Sequence, residues 1–259
     1  MKRLFFIFFI LFFLTFSSCG NEENMNAYTN YSLIEQLTSI TITAKECTLY
    51  ISCNNESIKN TIQSNNFFYT KVCNQNLKLE SNKKNAKIYL YVNPDQYKDI
   101  NIYGVSLWIN ICNINPNNIN IDCNYGYYEI KNTSIQNLNV KFERANSLVF
   151  NSKIQFFTYS GQYLYDTIKN SKIINYKKIS YIAFLTVEHC EFENINIYQL
   201  KGTINLKLNK IYDYFFYIVS LYKDIDFECI SYEDKVFYGN AIKQIEIINT
   251  NGQTNIYGD

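Results

Sequence analysis

Between Lys87 and Val140 a short apolar alternation returns at nearly fixed spacing. Ile100-Asn101-Ile102 is followed by Ile109-Asn110-Ile111, Ile119-Asn120-Ile121, Tyr128-Glu129-Ile130 and Leu138-Asn139-Val140. Successive starts lie about nine or ten residues apart and alternate starts about nineteen, a period that belongs to stacked repeat architectures. In an extended strand neighbouring side chains point to opposite faces. Each motif therefore sends its two outer residues one way and its central residue the other. Stacking such units sets isoleucine above isoleucine and builds a continuous dry core. The reading is an all-β chain, a β-solenoid with two main strands per coil. It predicts that Ile109, Ile111, Ile119, Ile121 and Ile130 face inward, and that Asn110 and Asn120 face out or line a corner. Asparagines at corners can bond one another along the stack and tolerate left-handed backbone. A β-sandwich of similar strands would need tight hairpins, and the dipeptide Asn-Gly occurs only at Asn251-Gly252.

The flanking stretches extend the pattern. Ile40 and Ile42 alternate with threonines, and Cys47, Leu49, Ile51 and Cys53 alternate with polar residues, the period of half-buried strands. Residues 39–84 are expected to supply strand-rich hairpins that cap the open end of the stack. Pro94 and Pro116 both follow asparagine and mark strand ends. Downstream, Leu148-Val149-Phe150, Leu185-Thr186-Val187, Ile195-Asn196-Ile197 and Ile204-Asn205-Leu206 keep the alternation. The run Tyr212 to Tyr222 is apolar throughout, and its aromatic and β-branched content favours a buried strand. No proline-rich linker or change of composition divides residues 39–259, which read as one domain.

The beginning of the chain carries sorting chemistry. Lys2 and Arg3 precede an apolar run from Leu4 to Phe16, signal-peptide length and short for a membrane span. Residues 1–18 are read as a signal peptide. The sequence Phe16-Ser17-Ser18-Cys19-Gly20 resembles a bacterial lipobox, with Phe16 where that family usually has leucine. The resemblance implies that Cys19 receives a diacylglycerol and becomes the mature N-terminus. Residues 19–38 then form a polar tether, and acyl chains at about 0.8 kcal/mol per buried methylene hold the protein on a bilayer. Gly20, rather than aspartate, follows Cys19, which favours an outer-membrane or surface destination over the inner membrane.

Composition narrows the chemistry. Net charge is +1, from 24 basic and 23 acidic residues, so there is no global field to attract nucleic acid. Arg3 and Arg144 are the two arginines, which leaves bidentate phosphate clamps almost unavailable. Eight cysteines invite a disulfide framework in an exported protein, but with Cys19 lipidated an odd number remains. Cys47 and Cys53 flank one extended strand, too far apart to bond each other. Cys123 shares a face with Ile119 and Ile121, and Cys229 with Ile225 and Phe227, the behaviour of a small core hydrophobe. A Cys112–Cys123 disulfide between adjacent strands is the minority alternative. No CxxC spacing points to zinc. His189 neighbours Cys190, but adjacent strand residues face opposite ways, so a cysteine–histidine nucleophile is not expected.

NAKIYLYVNPDQYKDINIYGVSLWINI, residues 85–111, and the closing IEIINTNGQTNIYGD resemble bacterial adhesin-head domains of unknown function, of the auto-transporter adhesin type. The resemblance spans about Ser39 to Asp259 as a pattern of strands. It implies a right-handed, single-stranded parallel β-helix of the kind carried by secreted lipoproteins, and it brings no catalytic residues. This chain departs in having 8 glycines where such families use Ser-Gly corners, asparagine standing in their place.

The expected function is that of a non-enzymatic envelope lipoprotein presenting a surface for adhesion or scaffold contact. The expected partners are a membrane, through the lipid, and a carbohydrate or protein surface. No cofactor or metal is expected. The alternative is a lyase-like β-helix enzyme acting on acidic polysaccharide. Such an enzyme needs carboxylates stacked one coil apart, and Asp122, Lys141 and Gly161 occupy the series read for it beside Glu143 and Arg144, without an acidic stack.

Overall fold

The computed structural model describes residues 29–33, 37–53, 60–65, 68–93, 98–208, 214–225, 230–232, 235–238 and 243–258. The expectations for the signal peptide, Cys19, most of the tether, Pro94 and Cys229 lie outside these residues. Among the described residues the chain is all-β. Its strands are β1 (Thr29–Leu33), β2 (Ser39–Cys53), β3 (Asn60–Ser64), β4 (Tyr69–Cys73), β5 (Asn76–Ser81), β6 (Ala86–Val92), β7 (Asp99–Cys112), β8 (Asn118–Lys131), β9 (Ser134–Phe150), β10 (Lys153–Lys169), β11 (Lys172–Leu208), β12 (Tyr214–Ile225), β13 (Ile230–Tyr232), β14 (Lys235–Tyr238) and β15 (Lys243–Gly258). They join in one mostly parallel sheet.

From β7 to the first half of β11 the parallel register is constant. Ile100 pairs with Ile119, Ile119 with Leu138, Leu138 with Phe157 and Phe157 with Tyr176, each step nineteen residues. The repeat read from the sequence is therefore the register of the sheet. Each unit has two inward-facing segments whose phase changes at a corner. In β9, Leu138, Val140 and Phe142 are buried, then Ala145, Ser147 and Val149, with Glu143-Arg144 between them. Ile109, Ile111, Ile119, Ile121 and Ile130 are all at most 2% exposed, while Asn110 and Asn120 stay partly exposed.

Asparagine does two jobs in the stack. On the outer face, Asn120 Nδ2 donates to Asn101 Oδ1 (2.8 Å), and Asn139 Nδ2 donates to Asn120 Oδ1 (3.0 Å). A second ladder runs from Asp99 through Asn118 to Asn137, with bonds of 2.5 and 2.7 Å. At the corner between units, Asn113, Asn132, Asn151, Asn170 and His189 all hold positive φ between 48° and 56°. Asparagine and histidine enter this region more readily than most side chains. The next residue in each unit turns inward to close the corner. Ser152 Oγ accepts from the Thr133 N–H and donates to the Phe150 carbonyl. Ser171 Oγ accepts from the Ser152 N–H and donates to the Lys169 carbonyl. Cys190 Sγ accepts from the Ser171 N–H and donates to the Glu188 carbonyl. At another corner Gly202 has φ +123°, and a Cβ there would stand 1.8 Å from the Ala183 carbonyl oxygen, so only glycine fits.

The ends of the stack depart from sequence order. β2 pairs in parallel with β7 on one side and with β5 and β6 on the other, so Ser39–Cys53 lies inside the stack and residues 76–92 lie outside it. β1, β3 and β4 add antiparallel pairs there. The other end mirrors this. β15 pairs in parallel with both β11 and β12, and places the last strand one unit in from the edge. The run at Tyr212 to Tyr222 contributes strand β12, as its composition predicts.

Two expectations are corrected. Cys112 and Cys123 are both free thiols. Cys112 stands in the column of Ser52 and Lys131, and Cys123 in that of Gly104 and Phe142, so they belong to different segments of the unit. The series proposed for stacked carboxylates is also off by one. Asp122 is followed by Lys141 and then by Ser160, while Gly161 follows Phe142. A slip of one residue moves a side chain to the other face.

Candidate interaction face and a buried ionic cluster

Two groups of residues stand out: an aromatic strip outside and a polar cluster inside. On the outer face of the second segment, Trp108, Tyr127, Asn146, Tyr165 and Phe184 occupy successive units of one column. The column is about 19 Å long at the usual spacing of neighbouring strands. Trp108 and Tyr165 are each 55% exposed and Phe184 is 40% exposed. Trp108 and Tyr127 lie with centroids 4.9 Å apart, tilted by 42°; Tyr165 and Phe184 stack at 4.9 Å and 9°. Rings stacked along the hydrogen-bonding direction of a sheet turn their edges outward. The next column carries Tyr125, Arg144 and Tyr163, and the Arg144 guanidinium lies 4.7 Å from the Tyr163 ring centre. Sequence reading did not single out this column. The signal is present: positions 108, 127, 165 and 184 are aromatic at the repeat period.

Elsewhere several charged groups pair one unit apart. Lys141 Nζ meets Asp122 Oδ2 at 3.3 Å, and Lys169 meets Glu188 at 2.7 Å. Asp122 is thus paired with a lysine in the neighbouring unit. Among the described residues no three His, Cys, Asp or Glu side chains gather as a metal-binding set. A groove of about 560 Å³ along the first corner is lined by Asn115, Ser134, Gln136, Lys153, Gln155 and Lys172. His189 is exposed and Cys190 fully buried, so the pair faces opposite ways as expected.

Inside the core the aliphatic columns are interrupted. One runs Ile109, Tyr128, Ser147, Asp166, Leu185; another runs Ile121, Val140, Tyr159, Lys178. Lys178 Nζ and Asp166 Oδ2 form an ion pair across the core, with side chains 0% and 1% exposed. Ser147 Oγ donates to Asp166 Oδ1 at 2.6 Å. The Lys178 nitrogen also lies 5.5 Å from the Tyr159 ring centre. Tyr128, Tyr159 and Tyr176 surround the pair, and their buried hydroxyls make no well-formed hydrogen bond. Burial holds all three phenols well above their ordinary range, and the Asp166 charge adds to it. Burial pulls the Lys178 amine down, against the pull of Asp166. Sequence reading missed this cluster.

No family model matches the sequence, and no curated protein matches it. Solved structures that resemble the fold loosely include the following three. One is a candidate cell adhesion protein from Clostridium sporogenes, with 14% identity, a TM-score of 0.23 and cover of 90% of this chain and 100% of that one. The second is a candidate lipid binding protein from Parabacteroides distasonis, with 12% identity, a TM-score of 0.41 and cover of 90% and 98%. The third is a candidate adhesin from Bacteroides fragilis, with 10% identity, a TM-score of 0.36 and cover of 90% and 98%. Superpositions this loose carry no argument about what the present chain binds.

Proposed function

We propose that this chain is a lipid-anchored bacterial envelope protein whose right-handed, single-stranded β-helix presents a surface for adhesion or scaffold contact, without catalysis. The observation that carries this reading is the column of Trp108, Tyr165 and Phe184, exposed, with half-buried Tyr127 between them, along one face of a rigid sheet. Leaving several large aromatics in water on one straight line has a cost that a partner would relieve, and aromatic and arginine side chains are the residues that dominate contact energies. The edge-on stacking of Tyr165 and Phe184 suits a protein surface better than the flat face that a sugar ring covers. The constant nineteen-residue parallel offset supports the β-helix. The lipobox-like Phe16 to Gly20 supports anchoring through Cys19, on the outer membrane or cell surface.

Full-length protein displayed on cells should be tested for binding to envelope and host-surface proteins and to a panel of polysaccharides, with and without calcium. Binding weakened about tenfold or more by Trp108→Ala or Tyr165→Ala supports the reading. Release of unsaturated oligosaccharides, lost when an acid is mutated, overturns it in favour of a lyase. Fatty-acid labelling of wild type but not Cys19→Ala supports the anchor; equal labelling removes it.

A further inference from the structure

The Asp166–Lys178 pair is built more like a reaction centre than a salt bridge. Both groups are enclosed, and they come from opposite walls of neighbouring repeats, Asp166 in β10 and Lys178 in β11, so the pair spans the core. A buried ion pair loses most of its hydration and is often no more stable than an apolar pair of the same size. In so dry a site the neutral amine and neutral carboxylic acid become accessible, because transferring one proton from nitrogen to oxygen abolishes two buried charges. The surroundings also hold donors. Ser147 Oγ is bonded to Asp166 Oδ1, the oxygen turned away from Lys178. The hydroxyls of Tyr128, Tyr159 and Tyr176 stand close by with bonding capacity to spare.

We propose that Lys178 and Asp166 join spontaneously in an isopeptide bond that ties the opposite walls of two neighbouring repeats together. After proton transfer, the Nζ lone pair of the neutral amine attacks Cγ of the protonated carboxyl. The negative charge develops on Oδ1, where the Ser147 hydroxyl donates. A tyrosine hydroxyl relays the proton from nitrogen to Oδ2. The Cγ–Oδ2 bond then breaks, Oδ2 leaves as water, and Oδ1 becomes the amide carbonyl oxygen. Overall an ammonium and a carboxylate become one amide and one water, with no oxidant or reductant. Fixing the two groups in contact supplies the proximity that makes amide formation between unactivated groups feasible, effective concentrations in such arrangements reaching about 10⁵–10⁸ M. Burying a donor at the developing oxyanion is the same device that enzymes use for acyl transfer.

The test is peptide mapping of the full-length, folded protein by trypsin digestion and mass spectrometry. The expected product is a branched peptide joining the Asp166 segment to the Lys178 segment, one water lighter than the two together, with no cleavage after Lys178. Lys178→Met should abolish it. Wild-type protein that yields only unlinked peptides, cleaved after Lys178, overturns the proposal whether or not the variant folds. A branched peptide that persists in Lys178→Met overturns the assignment to this pair.

Discussion

Asn170 and His189 stand one unit apart at the same corner and share a left-handed backbone, with φ of 49° and 52°. The histidine continues a column of four asparagines, and the Asn170 N–H donates to the Glu188 carbonyl just ahead of it. The single histidine of the chain is thus explained by backbone geometry rather than by chemistry. His189→Asn should leave stability within about 0.5 kcal/mol. His189→Val places a β-branched residue in the left-handed region and should cost about 1–2 kcal/mol. Urea midpoints would compare them; equal values for the two variants would remove the corner argument.

The core and the outer ladder make different demands. Ile121 is buried between Ile102 and Val140, so Ile121→Ala should cost about 2–5 kcal/mol. Asn120 bonds Asn101 and Asn139 on the outer face, and Asn120→Ala should cost about 0.5–1.5 kcal/mol through the ladder bonds. Chemical denaturation of both variants checks the order, and a larger loss for Asn120→Ala would reverse the assignment of faces.

Much of this was legible because period-two alternation and a nineteen-residue repeat both follow from strand geometry. Ile119-Asn120-Ile121 carries its own face assignment, and the aligned asparagines announce their ladders. The ends were not legible. β2 and β15 each sit one unit in from the edge, and local pattern says nothing about which strand of similar composition lies outermost. The place of Ser160, by contrast, was legible: two nineteen-residue steps from Asp122 reach it, and Gly161 belongs to the Phe142 column. The buried pair did leave a trace. Asp166 falls two residues from Leu164 and from Ile168, and Lys178 two from Tyr176, so both charges occupy inward positions of the alternation. A charge at an apolar position needs a partner, and its partner faces it across the core.

The thiols should sort by enclosure. Burial pushes Cys47 up to about 12, and Cys123 and Cys190 up to about 11, while Cys73 is exposed. The thiolate is the reactive form, so near neutral pH a maleimide should label Cys73 promptly and the other three only after unfolding. Site-resolved labelling by mass spectrometry checks this; rapid native labelling of Cys190 would mean that the corner it closes is open.

The enclosed phenols set an alkaline limit. Tyr128, Tyr159 and Tyr176 are held well above their ordinary range, first by burial and also by the Asp166 charge. In the unfolded chain they would release protons near pH 10, while the folded chain retains them. Below that pH both states bind the proton and stability is unaffected by these groups. Above it the folded state binds more protons, so stability falls as pH rises. Each phenol removes about 1.4 kcal/mol per pH unit, until its folded-state value is reached or the chain unfolds. Three acting together should produce cooperative alkaline unfolding, with part of the tyrosinate absorbance appearing only at that transition. Replacing all three by phenylalanine keeps the aromatic packing, removes the proton release and should raise the alkaline midpoint. Linking Lys178 to Asp166 would remove the carboxylate charge but not the burial, so the direction holds in either form. If the three phenols titrate reversibly near pH 10 in folded protein, the core around Asp166 is wet, and the enclosed reaction centre is lost along with this prediction.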